Sequence, residues 1–308
     1  MIGGVIGFQV PSPWIARFES EADYTVALAG APGLPGTFAY IDDQLVASRH
    51  PRRFPGLCAV CCSVQMMQID WCLVGNSGRG SIHPAWTETG VCEGCGNNSR
   101  MRAVLGFLLR HPDYAPDARC YLAERVTISY PGFAKRFANL ETSEYLGPDR
   151  SPGEMVFFPE HAATVRHENL TRLSFADSSF DWVVTQDVFE HIPDYPAAFR
   201  ECNRVLAPGG HLVFSVPFHV GLSRTQVRAR LREDGSVEHL LPPEIHGDPL
   251  VGTGALCYQS FGWDILDFLH AAGFAKASAH AYWGPWMGHL GVGCSFVFSA
   301  HKEHTIGL

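Results

Sequence analysis

Five cysteines near residues 58–95 have the spacing of a metal site. Cys58 and Cys61 form one CxxC pair, Cys62 follows directly, and Cys92 and Cys95 form a second pair about 30 residues later. Two such pairs can present four thiolates to one tetrahedral ion, which leaves no position open for catalysis. We therefore predict structural zinc on Cys58, Cys61, Cys92 and Cys95, with Cys62 as a substitute for Cys61. Reduced core thiols and disulfides are the competing interpretations.

Residues 167–218 hold the second group of side chains with chemical potential. A buried strand pattern ends at Thr185 and is followed by polar residues at Gln186 and Asp187. Apolar residues at helical spacing then predict an amphipathic helix over Tyr195–Leu206. Pro208-Gly209-Gly210 ends this helix and leads into the apolar strand His211–Val216.

Four linked motifs in this stretch resemble those of class I S-adenosylmethionine (SAM) dependent methyltransferases. They are the segments Leu173–Asp177, Ser179–Asp181, Phe189–Asp194 and Arg204–Gly210. The resemblance extends to Phe261–Phe274, which is similar to the last helix of that family, and covers roughly residues 102–302. It implies a SAM-dependent methyltransferase with SAM as cofactor.

The elements that position these residues alternate between strand and helix from residue 102 onward. Such alternation predicts an α/β fold with a mainly parallel sheet and helices on both faces. The resemblance implies a Rossmann-like seven-stranded sheet of order 3-2-1-4-5-7-6, with strand 7 antiparallel. A ligand of such a sheet lies outside the carboxyl ends of its strands. The predicted strands are Cys120–Thr127, Leu140–Tyr145, Thr164–Leu170, Trp182–Thr185, His211–Val216, Ala277–Trp283 and Val292–Ala300.

The resemblance also implies the roles of individual residues in binding SAM. Glu144, followed by Tyr145, matches the acidic residue that accepts hydrogen bonds from the ribose hydroxyls. Asn169, beside Leu170, stands where the family often has an acid near the adenine amine. In the family, residues that follow strand 4 line the methionine and sulfonium region. The matching residues here are Gln186, Asp187 and His191.

The loop after the first strand departs from the family pattern. The family has an acid-x-Gly-x-Gly sequence there, so that backbone amides can approach the cofactor closely. This chain has Glu124-Arg125-Val126-Thr127 instead, with no glycine before Gly132. Glu124 matches the acidic position, and we predict a divergent pocket that still binds SAM.

A general base for methyl transfer is predicted around an insertion at about residues 220–258. An oxygen acceptor usually needs a base, and a histidine suits that role near neutral pH. His219 follows strand 5, and His246 lies in the insertion beside Asp248. We predict His219 or His246 as the base, Asp248 as its orienting partner, and the insertion as a substrate lid.

The chain divides by pattern into three parts. Residues 1–56 contain two strand-like runs, Asp23–Ala29 and Thr37–Ser48, which predict a β-rich cap or a homodimer contact. Residues 57–100 form the zinc-ribbon-like part, and residues 101–308 the predicted methyltransferase domain.

Composition restricts the class of partner. The chain has 308 residues, 46% of them hydrophobic, and a net charge of -8, so anionic nucleic acid and lipid are poor partners. There is no apolar run of membrane-spanning length, and the first residues lack a secretory signal pattern, so we expect a cytoplasmic protein.

Three functions remain open from the sequence. The first is methylation of an O or N atom of a small molecule, such as a sugar or a natural product. The second is methylation of RNA, because some rRNA methyltransferases also place a zinc ribbon before this fold, and residues 51–110, with six arginines and three acids, are mildly basic. The third is a binding or scaffold protein of methyltransferase fold that has lost SAM.

Overall fold

The structure is a computed structural model that describes residues 12–46, 50–71, 74–76, 82–159, 162–248, 250, 252–291 and 293–304. The first 11 residues, to which the expectation about a secretory signal applies, lie outside these ranges. None of the helices in these ranges is long and apolar enough to cross a membrane.

Most of the described strands belong either to one large sheet or to short hairpins. In chain order they are β1 (Trp14–Phe18), β2 (Arg52–Cys58), β3 (Ser63–Ile69), β4 (Val74–Asn76), β5 (Ile82–Pro84), β6 (Val91–Cys92), β7 (Arg119–Leu122), β8 (Asn139–Thr142), β9 (Met155–Phe158), β10 (Ala163–Arg166), β11 (Phe180–Gln186), β12 (Leu206–Ser215), β13 (Gln226–Val227), β14 (Ala229–Leu231), β15 (Val237–His239), β16 (Ile245–His246), β17 (Ala255–Leu256), β18 (Gln259–Ser260), β19 (Lys276–Tyr282) and β20 (Ser295–His301). The α-helices are α1 (Glu21–Gly30), α2 (Leu34–Val46), α3 (Ser99–Leu108), α4 (Tyr130–Ala134), α5 (Tyr195–Val205) and α6 (Ile265–Ala271).

The large sheet has the order β1-β19-β20-β12-β11-β7-β8. Its β8, β7, β11 and β12 run parallel, whereas β20 is antiparallel to both β12 and β19. The segment after β10 lies beside the end of β8, through a parallel bridge between Glu144 and His167. The predicted Rossmann-like seven-stranded sheet is thus confirmed, with strands in the order 2-1-4-5-7-6. The predicted third strand joins it only through that bridge, because β10 pairs with β9, and β1 supplies the seventh strand at the opposite edge.

Helix α5 shows how the sequence directs the chain back to the sheet. Asp194 caps its amino end by accepting a hydrogen bond from the backbone of Ala197 at 3.0 Å. Its buried face includes Phe199 and Cys202, which belong to the largest hydrophobic cluster. Gly209 then takes φ +82°, a conformation that glycine adopts without strain.

The strand predictions for Asp23–Ala29 and Thr37–Ser48 are wrong in the described residues, because both runs lie in helices. Ser20 caps α1 by accepting from the backbone of Asp23 at 3.1 Å. In α2, Phe38 is buried and Ile41, three residues later, packs against a hydrophobic cluster, which is helical spacing. Residues 47–49 lie outside the described ranges.

The cysteine-rich part is a small sheet of order β2-β3-β6 packed against the rest of the chain. The fully buried Arg102 of α3 connects it to a distant turn. Its guanidinium donates to the carbonyl of Gly90 at 2.8 Å, and to those of Met287 and Gly288 at 2.5 and 3.1 Å. This part of the chain is therefore fixed against the large sheet.

The insertion between β12 and α6 consists of three short antiparallel pairs, β13 with β18, β14 with β15, and β16 with β17. Its last part lies against the loop that follows β11. The backbone of Tyr258 donates to the carbonyl of Glu190 at 2.7 Å. The insertion thus reaches the carboxyl edge of the sheet.

Candidate functional site

The polar residues of the site follow the carboxyl ends of β7, β8, β11 and β12. Because these strands are parallel, their ends meet at one edge, which is where ligands bind in open α/β sheets. The loop 123–129, Glu144 and the segment 186–191 all lie there.

Glu144 holds the glycine-free loop in place. Its Oε1 accepts hydrogen bonds from the backbone nitrogens of Arg125 and Val126 at 2.6 and 2.8 Å. Burial raises the pKa of Glu144 to about 7, although these two N–H groups oppose the rise. These two backbone N–H groups of the loop are thus already bonded to Glu144.

Glu124 and Gln186 join the ends of β7 and β11. The amide nitrogen of Gln186 donates to Oε1 of Glu124 and, at 3.0 Å, to the hydroxyl of Ser129. All three side chains are buried. Burial raises the pKa of Glu124, because a negative charge is costly at this buried position.

Arg100, at the start of α3, reaches the same edge from the cysteine-rich part. Its Nε lies 2.9 Å from Oδ2 of Asp187 and 2.9 Å from Oε1 of Glu88. Although burial opposes the charged form, these two carboxylates raise the pKa of Arg100 above its usual value. Burial also raises the pKa of Asp187 to about 7, against the opposing charge of Arg100.

Several buried polar atoms at this edge lack hydrogen-bond partners among the described residues. They are Nη1 of Arg100, Oε1 of Gln186 and both carboxylate oxygens of Glu190. Buried polar groups are normally hydrogen-bonded, so an unpartnered group in a native structure calls for a ligand, an ion or water. The edge combines such atoms with an excess of carboxylates.

The residues predicted to lie near the adenine and ribose of SAM differ in whether their side chains are free to contact a ligand. Oδ1 of Asn169 accepts from the backbone and hydroxyl of Thr171 at 2.9 and 2.8 Å, so a local turn already occupies it. Leu170 is buried in the hydrophobic core, whereas Tyr145 is exposed.

The predicted base residues do not form the pair that we expected. Nε2 of His246 lies 3.1 Å from Oε1 of Glu244, while Oδ1 of Asp248 accepts from the backbone of Leu250 at 2.7 Å. The neighbouring thiol of Cys257 and carboxylate of Glu190 raise the pKa of His246 to about 11. His246 as a base therefore stays a prediction.

The other two predicted histidines lie apart from each other. His219 is exposed, with its backbone nitrogen bonded to the carbonyl of Phe261 at 2.9 Å. His191 is half-buried and faces the insertion, where its Nδ1 lies 2.9 Å from the carbonyl oxygen of Leu256. His219 as a base stays a prediction.

The four predicted metal ligands come together. The sulfurs of Cys58 and Cys95 are 3.7 Å apart and those of Cys61 and Cys92 are 3.8 Å apart. Four thiolates about 2.3 Å from a tetrahedral zinc ion would be separated by about 3.8 Å. Cys62 instead contacts the carbonyl of Ala59 and the side chain of Arg136.

Sequence reasoning missed the residues that reach this edge from other segments. Arg100 and Glu88 precede the methyltransferase-like motifs, and no local pattern marks them. Glu190 was visible only as part of a motif, and no local pattern marks Cys257. A buried carboxylate or arginine is recognised from the side chains that surround it in space, and the sequence alone does not show which residues these are.

Residues 131–214 match the sequence profile of a family described as "Methyltransferase domain". This segment runs from α4 to the end of β12 and includes Glu144, Gln186 and Asp187. The Glu124 loop and Arg100 precede it.

Curated relatives match over short segments. A probable S-adenosylmethionine-dependent methyltransferase of Mycolicibacterium smegmatis is 42% identical over 59 residues, 19% of this chain and 23% of that protein. A demethylmenaquinone methyltransferase of Staphylococcus aureus is 36% identical over 77 residues, 23% of this chain and 32% of that protein. This chain thus spans about a quarter to a third of the relatives' length.

Solved structures of similar fold share little sequence. A 1,6-didemethyltoxoflavin-N1-methyltransferase of Burkholderia thailandensis has a TM-score of 0.39 at 17% identity, over 66% of this chain and 78% of that one. A SAM-dependent methyltransferase of Mesorhizobium loti has a TM-score of 0.40 at 16% identity, over 65% and 98%.

Proposed function

We propose that this chain is a SAM-dependent methyltransferase that methylates an O or N atom of a small molecule. The observation that carries the proposal is the carboxyl edge, where buried polar atoms without partners adjoin several carboxylates. The methyltransferase-domain match of residues 131–214 supports it, because that segment supplies Glu144, Gln186, Asp187 and Glu190 at this edge.

The chemistry of these side chains fits the parts of SAM. Nη1 of Arg100 is a buried donor suited to the methionine carboxylate, and Oε1 of Gln186 is a buried acceptor suited to its ammonium group. Because Oε1 of Glu144 accepts two loop N–H groups, we assign its Oε2 to the ribose hydroxyls.

The carboxylates at this edge also fit the positive charges of SAM. Glu124, Glu144 and Asp187 all have a raised pKa with burial as the largest cause, so their ionised forms are destabilised. SAM carries a positive sulfonium and a positive ammonium group, which would stabilise these carboxylates. A neutral ligand of the same shape would not.

Bound SAM supplies a methyl group on a positively charged sulfur. The residues of this chain then mainly align the two reactants, since in-line displacement depends largely on proximity and orientation. In the transfer, a lone pair of the acceptor would bond to the methyl carbon, the carbon–sulfur electron pair would pass to sulfur, and the acceptor's proton would pass to solvent or to a base, for which His219 stays a predicted candidate. The insertion over the edge is suited to exclude water and hold the acceptor.

We also propose that Cys58, Cys61, Cys92 and Cys95 bind one structural zinc ion. The sulfur separations of 3.7 and 3.8 Å support this. A disulfide would bring two sulfurs to about 2.05 Å.

Calorimetric titration of the full chain with SAM and with S-adenosylhomocysteine tests the main proposal. We expect micromolar binding of SAM and weaker binding of S-adenosylhomocysteine, which lacks the sulfonium charge. Methyl-labelled SAM and a panel of hydroxyl- and amine-bearing small molecules would then identify the acceptor. If neither ligand binds, the scaffold interpretation is favoured; labelling of RNA alone would favour the RNA interpretation.

A further inference from the structure

Three side chains next to the loop after β11 form a cluster that methyl transfer does not require. They are His191, His246 and Cys257, and one ligand atom of each lies within 4.8 Å of the others. Cys257 is buried and both histidines are half-buried. His191 comes from the short helix after β11, whereas His246 and Cys257 come from the insertion, so the cluster joins two separate segments.

One ring nitrogen of each histidine already has an acceptor. Nδ1 of His191 lies 2.9 Å from the carbonyl oxygen of Leu256 and 4.0 Å from the sulfur of Cys257, and Nε2 of His246 lies 3.1 Å from a carboxylate oxygen of Glu244. Carbonyl and carboxylate oxygens only accept, so these two nitrogens carry the protons. When both rings are neutral, as metal binding requires, lone pairs remain on Nε2 of His191 and Nδ1 of His246. Metal-binding histidines are usually oriented in this way.

Glu190 lies near the other ring nitrogen of each histidine. Its Oε1 lies 3.6 Å from Nε2 of His191 and 3.6 Å from Nδ1 of His246. Its side chain is fully buried, and neither carboxylate oxygen accepts a hydrogen bond from the described part of the chain. A buried carboxylate without partners is costly, and a cation among these atoms would remove that cost.

We propose that His191, His246, Cys257 and Glu190 bind a divalent transition-metal ion, for which zinc is the expected occupant. Imidazole nitrogens, a thiolate and a carboxylate are the ligand types that zinc binds, and the thiolate disfavours magnesium and calcium. Ligands about 2.1 Å from a tetrahedral ion would be about 3.4 Å apart, close to the 3.6 Å between Glu190 and each histidine.

Such an ion would fasten the insertion to the carboxyl edge. Backbone hydrogen bonds already connect the neighbouring segments. The nitrogen of Tyr258 donates to the carbonyl of Glu190 at 2.7 Å, and the nitrogen of Cys257 donates to the carbonyl of Glu244 at 2.9 Å. The ion would add bonds between the two segments beside Asp187. This inference goes beyond the proposed function and does not depend on it.

Zinc content per chain tests the site in the full-length protein. The wild-type chain and the variants His246→Ala, Cys257→Ser and His239→Ala would be loaded with zinc, freed of excess ion and analysed for bound zinc. His239 is an exposed histidine of the same insertion and serves as the matched control. We expect His246→Ala and Cys257→Ser each to bind one zinc fewer per chain than the wild type, and His239→Ala to bind the same number.

Cobalt substitution identifies the ligands independently of folding yield. In the cobalt-loaded protein, Cys257→Ser should lose part of the thiolate-to-cobalt absorption, whereas His239→Ala should keep the wild-type spectrum. Equal zinc content in all four proteins would overturn the proposal. So would an equal loss in His239→Ala, because that loss would not be specific to the cluster.

Discussion

The Nε atom of Arg100 lies 2.9 Å from Oδ2 of Asp187, which connects the cysteine-rich part directly to the end of β11. The same Nε contacts Glu88, whose Oε2 in turn accepts from the side chain of Asn98 at 2.8 Å. A change in the cysteine-rich part should therefore be felt at the proposed cofactor site, although the two are separate in sequence.

Replacement of Arg100 tests this connection. Arg100→Gln should weaken SAM binding by about 10–100-fold, because a buried charged donor is lost and Asp187 is left without its ion pair. Calorimetry measures the affinity, and thermal unfolding measures the accompanying loss of stability. Arg53→Gln is the control, since Arg53 pairs with Glu93 on the exposed side of the cysteine-rich part. Equal SAM affinity in both variants would remove Arg100 from the site.

Adjacent cysteines distinguish a metal ligand from its neighbour. Cys61→Ser should lose the zinc of the four-cysteine site and lower both the melting temperature and SAM affinity, because metal binding is coupled to folding. Cys62→Ser should keep the zinc, since Cys62 contacts Ala59 and Arg136 rather than the other sulfurs. Elemental analysis with melting curves checks this. A Cys61→Ser protein that keeps its zinc and melts like the wild type would contradict the structural-zinc proposal.

Two substitutions of Glu144 separate its contacts. Glu144→Ala removes the acceptor for Arg125 and Val126 and the assigned ribose contact, so SAM binding should weaken by roughly 1–3 kcal/mol. Glu144→Gln keeps an oxygen for the loop but loses the charge, so its affinity should lie between those of the wild type and Glu144→Ala. Calorimetric titration of the three proteins decides; unchanged affinity in Glu144→Ala would exclude Glu144 from the pocket.

Binding of SAM should release protons near neutral pH. The pKa of Glu144 and that of Asp187 are each raised to about 7, so both carboxyls are partly protonated at that pH. A cationic ligand favours the ionised carboxylates and lowers both pKa values, so affinity should rise as pH increases from about 6 to 8. Titrations in buffers of different ionisation enthalpy count the protons. Proton uptake on binding, or an affinity that falls over this range, would contradict the assignment.

The alternation of strands and helices was predictable from the sequence, because each element depends on the pattern of apolar residues that are close together along the chain. The apolar run before Gln186 and the helical spacing of Phe199 and Cys202 predict β11 and α5. The CxxC spacing likewise predicted that four sulfurs would converge. The same local reasoning failed at Asp23–Ala29, where the cap provided by Ser20 and the alanines outweighed the β-branched residues.

Only the tertiary structure decided which distant side chains meet. Arg100 reaches Asp187 across 87 positions, and His191 reaches Cys257 across 66, because the strand order and the insertion bring these segments to one edge. The role of Glu144 also depended on this packing, since its partners are backbone N–H groups that any residue could supply. Local periodicity specifies the elements, whereas burial and contact between remote segments determine which charges lack a partner and so where a ligand is bound.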